Sequence, residues 1–129
     1  SVIFVNNAIY GMTGGQMAPT SLIGQVTTTS PNGRDEKWSG KPIRVSEMLA
    51  TLDGAKFVER VAVNSPANIR KAKASIKKCF EYQIQGKGFG IVEVLSTCST
   101  NWGMTPVEAM KWVDDNMIPY YPLGRIKEE

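Results

Sequence analysis

Residues 6–16 read Asn6-Asn7-Ala8-Ile9-Tyr10-Gly11-Met12-Thr13-Gly14-Gly15-Gln16, the densest run of groups here that could hold a charged ligand. Asparagine side-chain oxygens are hard donors suited to Mg²⁺, which takes few protein ligands and fills its shell with phosphate oxygens and water. The glycines that follow let backbone N–H groups approach an anion, and the Thr13 hydroxyl adds a further donor. Cys98, in Ser96-Thr97-Cys98-Ser99-Thr100-Asn101-Trp102-Gly103, is a second candidate: a small buried thiol, or one ligand of a metal or cluster completed from elsewhere. The chain contains no histidine. That removes Ser-His-Asp and Cys-His catalysis, His-ligated zinc and the usual general base near neutral pH. Chemistry must come from carboxylates, amides, hydroxyls, thiols or a bound cofactor.

These residues need elements to position them. Val2-Ile3-Phe4-Val5 is a continuous apolar, β-branched run, the pattern of a strand buried on both faces of a parallel sheet. Residues 6–42 form a long Gly/Thr/Ser/Pro-rich loop, with a turn at Pro31-Asn32-Gly33. Val45, Met48, Leu49 and Leu52 recur at helical spacing, with Ser46 near the start and Gly54 as C-cap. Phe57–Val63 reads as a strand. Ser65-Pro66 opens a helix whose apolar stripe is Ile69, Ala72, Ile76, Cys79, Phe80 and Ile84. Phe89–Leu95 is the next strand, and Thr105-Pro106-Val107-Glu108 is a capping box opening a helix to about Asn116. The tail from Ile118 is rich in Pro and Tyr, then charged. Strands alternating with helices predict an α/β fold: a mostly parallel sheet with helices on both faces. Both Asn7 and Cys98 then follow strands, at the edge of the sheet where such folds bind ligands.

At 129 residues the chain suits one domain, and its hydrophobic content of 42% fits a globular one. A net charge of +3 is too mild for a nucleic-acid binder. Arg70, Lys71, Lys73, Lys77 and Lys78 read as the solvated face of a helix. Gly86-Lys87-Gly88-Phe89-Gly90 fits neither nucleotide-loop pattern and precedes a strand, so it reads as a connector. No run is long enough to span a membrane, and two cysteines make no disulfide framework. The expected setting is cytoplasmic.

The segments Asn6–Thr20, Thr51-Leu52-Asp53-Gly54, Glu93–Cys98, Asn101–Ala109 and Ile118–Gly124 together resemble the thiamine diphosphate-binding β subunit of 2-oxoacid:ferredoxin oxidoreductases, of the 2-oxoisovalerate and 2-oxoglutarate type. The resemblance implies oxidative decarboxylation of a 2-oxoacid with coenzyme A to an acyl-CoA, electrons passing through iron–sulfur clusters to ferredoxin. The cofactor carries the hard step, which is how a histidine-free chain can serve an enzyme. It implies that Asn7 and the Ile9 carbonyl ligate Mg²⁺. Tyr10, Gly11, Met12 and Thr13 then meet the cofactor, and Cys98 aligns with a [4Fe–4S] ligand. It implies partners too: an α subunit and further subunits.

The family's thiamine motif also carries a Gly-Asp-Gly before the Asn-Asn, and residues 1–129 contain none. The expectation is therefore the C-terminal half of a thiamine diphosphate-binding fold. Residues 1–42 give strand and cofactor loop, 43–117 alternating helices and strands, and 118–129 a tail. Without the aspartate, the isolated chain should hold Mg²⁺-diphosphate poorly and be inactive. An unpaired edge at Val2–Val5 would favour a homo-oligomer. The alternative is a non-catalytic interaction module docking through Trp102, Trp112 and the Tyr120–Tyr121 tail.

Overall fold

The computed structural model describes residues 1–129. Four strands, β1 (Val2–Asn6), β2 (Ala55–Ala62), β3 (Phe89–Leu95) and β4 (Gly124–Glu128), form one sheet in the order β1-β3-β2-β4. β3 is parallel to both neighbours, and β4 runs antiparallel along β2. Two helices cover opposite faces. Because side chains alternate along a strand, Phe57, Val61, Val92 and Val94 face α3 (Pro66–Ile84), while Val58 and Ile91 pack with Leu49 and Ala50 of α2 (Val45–Ala50). The Ser65 hydroxyl accepts the Asn68 N–H and Pro66 sits in the first turn, so α3 begins where its cap requires. A further cluster forms at the carboxyl end of the sheet. There Ala62 and Leu95 meet Val113, Met117 and Tyr121 of the C-terminal helical stretch. That stretch is α4 (Pro106–Trp112), a π-helical turn at Val113–Met117 and the short α5 (Ile118–Tyr120), with Tyr121 as its C-cap. Its N-terminus is the capping box expected from the sequence: Thr105 and Glu108 each bind the other's backbone N–H.

Several expectations need correction. Val2–Val5 is a strand, but at the sheet's edge, with Val2 42% and Val5 58% exposed. Its partnerless edge matches the expected open one; its burial on both faces does not. The apolar stripe of α3 turns partly outward: Ala72, Ser75, Cys79 and Tyr82 are buried, whereas Ile69, Phe80 and Ile84 are exposed. Ser46 does lie near the start of α2, buried in its first turn. Gly54 lies beyond that helix, where its carbonyl accepts the Phe89 N–H. The charged tail is a strand. Its single apolar residue, Ile126, gives little periodicity, and its charges are matched by Arg125–Glu59, Lys78–Glu128 and Lys56–Glu129 pairs.

The long loop is ordered by one side chain. Arg34 is buried, and its guanidinium donates to the carbonyls of Ala18, Pro19 and Ser21 on one side and Ser39, Gly40 and Lys41 on the other. Only a rigid, planar, five-donor fork spans two segments this way. Around it lies α1 (Glu36–Ser39), capped by Asp35. At Gly33, φ is +90° and an added Cβ would stand 2.7 Å from the Gly24 carbonyl oxygen, so glycine is required.

Candidate functional site

β1 and β3 are parallel neighbours, so the loops leaving their carboxyl ends emerge side by side. Asn6 ends β1 with a buried side chain. Its Nδ2 donates to Glu93 Oε1 at 2.9 Å, and its Oδ1 accepts the Ala8 N–H at 3.0 Å. This turn holds Ala8 at φ +57°, a left-handed conformation that costs a non-glycine residue roughly 1–2 kcal/mol. The Ala8 carbonyl accepts from the Ser21 hydroxyl at 2.5 Å and from Gln25 Nε2 at 2.9 Å. The Asn7 carbonyl accepts from Trp102 Nε1 at 3.2 Å. The Ala8 N–H is thus held within the turn by Asn6, the Ala8 carbonyl by Ser21 and Gln25 further along the loop, and the Asn7 carbonyl by Trp102 from beyond it.

What these anchors leave free is informative. Neither the Asn7 side-chain amide nor the Ile9 carbonyl has a hydrogen-bond partner within the chain, and Asn7, Ile9 and Tyr10 border a cleft of about 320 Å³. The next turn is closed by Gly15 N–H to the Tyr10 carbonyl at 2.8 Å and by Tyr10 N–H to the Gln16 carbonyl at 3.0 Å. The N–H groups of Gly11, Met12 and Thr13 donate to nothing in the chain. Two unengaged hard oxygens followed in the chain by three free N–H donors suit a divalent cation carrying an anionic ligand. The Thr13 hydroxyl is engaged instead: it donates to Gln16 Oε1 at 2.7 Å, so backbone groups are the donors this turn presents.

Cys98 comes to the same place. Its Sγ accepts from Asn101 Nδ2 at 3.3 Å, and a Cβ added to Gly11 would stand 2.9 Å from both Cys98 Sγ and Asn101 Nδ2. The loop after β1 therefore packs against the loop after β3. Cys79 is buried on the sheet-facing side of α3, and no group of three or more Cys, Asp or Glu side chains that could hold a metal ion is assembled in the chain. Cys98 thus stands without a second cysteine beside it.

The aromatic tail does not present a docking surface at Tyr121. That residue is fully buried, its hydroxyl donating to the Thr20 carbonyl at 2.7 Å, while Tyr120 donates to the Pro42 carbonyl. Trp102 and Trp112 pack at a 48° tilt with centroids 4.5 Å apart and line a cleft of about 530 Å³ with Leu22 and Val26.

Beneath the loop runs a charged network that sequence reading missed. Arg60 on β2 and Glu93 on β3 have side chains 0% and 1% exposed. Arg60 Nε donates to Glu93 Oε2 at 2.8 Å, and its other nitrogens reach Glu47. The Ser46 hydroxyl also donates to Glu93 Oε2. Arg60's hydrogen bond holds the Glu47 carboxyl below its ordinary pKa. Burial alone would lower the pKa of Arg60, but Glu47 and Glu93 together outweigh it and hold the value above the ordinary one. Burial, with the Glu93 charge, pushes the Tyr121 phenol far up. The available signal was charge in the middle of apolar strands, since such residues are rarely buried unless paired.

Residues 1–94 match the family model described as thiamine pyrophosphate enzyme, C-terminal TPP binding domain. The chain is 45% identical over 128 residues to the ketoisovalerate oxidoreductase subunit VorA of Methanothermobacter marburgensis, covering 99% of this chain and 27% of that protein. It is 38% identical over 123 residues to the 2-oxoglutarate synthase subunit KorB of the same organism, covering 92% of this chain and 39% of that one. The KorB subunit of Methanocaldococcus jannaschii is 37% identical over 134 residues, covering all of this chain and 45% of its own length. The chain thus spans between about a quarter and just under half of the relatives it matches.

Proposed function

The chain belongs to the family of thiamine pyrophosphate enzyme C-terminal TPP-binding domains, and from that premise we propose that it forms the metal- and diphosphate-binding part of a 2-oxoacid:ferredoxin oxidoreductase. The carrying observation is the loop after β1, where Asn7 Oδ1 and the Ile9 carbonyl are free at a cleft and the next N–H groups along the loop, those of Gly11, Met12 and Thr13, are unengaged. The donor chemistry fits Mg²⁺-thiamine diphosphate: two neutral hard oxygens for the metal, backbone donors for the anion. When bound, the cofactor supplies the electron sink for breaking the bond between the carboxylate and the keto carbon.

The chain's own part is to bind and orient. Asn7 and Ile9 would take two metal positions, and the Gly11–Thr13 backbone would face the diphosphate. Tyr10 and Met12 would stand beside the cofactor on the exposed side of the loop. Asn7, Ile9 and the diphosphate oxygens would leave the metal's octahedral shell incomplete, and a carboxylate supplied by another segment of the enzyme would complete it. In this reading the isolated chain is inactive. Cys98 would be one of four ligands of a [4Fe–4S] cluster, the others lying elsewhere in the enzyme. Partners are the α and remaining subunits, with ferredoxin as electron acceptor and coenzyme A as acyl acceptor, in the cytoplasm. The open β1 edge supports association with a further chain, a second copy included. No helix is long and apolar enough to cross a membrane.

The test is turnover by the complete enzyme with branched-chain 2-oxoacids and 2-oxoglutarate, coenzyme A and a ferredoxin-type acceptor. Asn7→Ala should raise the Mg²⁺ requirement about tenfold or more. Activity and Mg²⁺ dependence unchanged by that substitution would refute the assignment.

A further inference from the structure

We propose that Glu93 is a positioning residue that sets the direction of the Asn6 side-chain amide and, through it, the geometry of the Asn7 and Ile9 oxygens. The inference rests on the cofactor reading above and deepens it. Both Glu93 carboxylate oxygens act as acceptors: Oε2 takes Arg60 Nε and the Ser46 hydroxyl, and Oε1 takes Asn6 Nδ2. Facing Glu93 Oε1 at 2.9 Å, Asn6 must present its NH₂, which leaves its Oδ1 pointing back to the Ala8 N–H at 3.0 Å. That contact keeps Ala8, buried and with a Cβ, at φ +57°. Asn7 and Ile9 flank Ala8 directly, so the orientation of one amide fixes both candidate metal ligands. The chain of control runs from a buried ion pair, through Asn6, to a strained turn.

Glu93→Gln reverses the logic with almost no change in shape. Arg60 keeps the single oxygen, because its guanidinium cannot face an NH₂ group. The new NH₂ then opposes Asn6 Nδ2, and Asn6 must flip. Its own NH₂ now meets the Ala8 N–H, and the turn loses its acceptor. Ser46→Ala removes a hydrogen bond from the same carboxylate but leaves it an acceptor, so Asn6 keeps its direction. Asn6→Ala removes the turn while leaving the Glu93–Arg60 pair intact, and is the second variant should Glu93→Gln not fold.

The measurements are made in the complete enzyme: Mg²⁺ affinity at saturating thiamine diphosphate, and hydrogen exchange of the Ala8 amide without cofactor. Glu93→Gln and Asn6→Ala should weaken Mg²⁺ binding by about 10–100-fold and speed Ala8 exchange, while Ser46→Ala changes neither. Adding Ala8→Gly, which tolerates positive φ unaided, should recover most of the lost affinity. A merely structural Glu93 would lower the melting temperature with Mg²⁺ affinity unchanged and no rescue by glycine, and that result overturns the proposal. If the unsubstituted enzyme binds no Mg²⁺-thiamine diphosphate, the cofactor reading fails instead. Ala8 exchange would then still decide whether Glu93 orients Asn6.

Discussion

Replacing Arg34 by methionine should release the 18–41 segment from the body of the domain. The side chain bonds six backbone carbonyls, three on each of two segments, from a buried position with no acidic partner. A hydrogen bond to a charged group contributes about 1.5–3 kcal/mol. The six are not additive, since a surface loop that opens regains water at most of its carbonyls. The burial cost of the charge also disappears with it. The expected net loss is therefore about 3–5 kcal/mol, the range for breaking a buried polar network. Arg34→Lys should lose nearly as much, because one ammonium cannot reach both segments. Denaturant unfolding reads the loss, and limited proteolysis locates it: new cleavage should appear between residues 22 and 41. Ser21, whose carbonyl Arg34 holds, also anchors the Ala8 carbonyl, so Ala8 amide exchange should rise too. A methionine variant with an unchanged unfolding midpoint and no new cleavage would refute this account of the loop.

Tyr121 stays neutral in the fold to a higher pH than in the unfolded chain, where phenols ionise near about 10. Its contribution is therefore complete below that value and is lost as pH rises above it; Tyr121→Phe should flatten the alkaline branch of a stability profile while costing about 1 kcal/mol at neutral pH for the bond to Thr20. Glu47 has the opposite sign. Its pKa is lowered by Arg60, so its contribution is present above the ordinary carboxylate range and is lost on acidification, and Glu47→Gln should reduce the acid sensitivity of unfolding. Gly11→Ala should disturb the loop after β1, because the new methyl meets Cys98 Sγ and Asn101 Nδ2 at 2.9 Å. Cys98→Ala should partly relieve it, a non-additivity read in a double-mutant cycle on cofactor affinity.

The sequence was most readable where local rules decide. The Thr105–Glu108 capping box, the Ser65-Pro66 start of α3 and the β-branched run of Phe89–Leu95 each carry their structure in a few adjacent residues. The Asn6–Gln16 loop could be placed at the carboxyl end of a strand for the same reason. Legibility failed where partners lie far apart in the chain. Glu93 meets Asn6 across 87 residues and Arg60 across 33, and no spacing rule links them. Arg34 is surrounded by polar loop residues, and its role arises only when two strands of loop close around it. β4 was hidden because an edge strand paired on one side needs few apolar residues, and its charges find partners on β2 and α3. The exposed Ile69, Phe80 and Ile84 broke the helical pattern in the other direction: apolar spacing marks a face without saying whether anything covers it.

The most direct test is a crystal structure of the complete enzyme with Mg²⁺ and thiamine diphosphate. The account expects Asn7 Oδ1 and the Ile9 carbonyl oxygen at about 2.0–2.1 Å from the metal, with the N–H groups of Gly11 to Thr13 turned toward the diphosphate. A cofactor bound with its metal away from Asn7, or a loop whose N–H groups face solvent in the loaded enzyme, would contradict it.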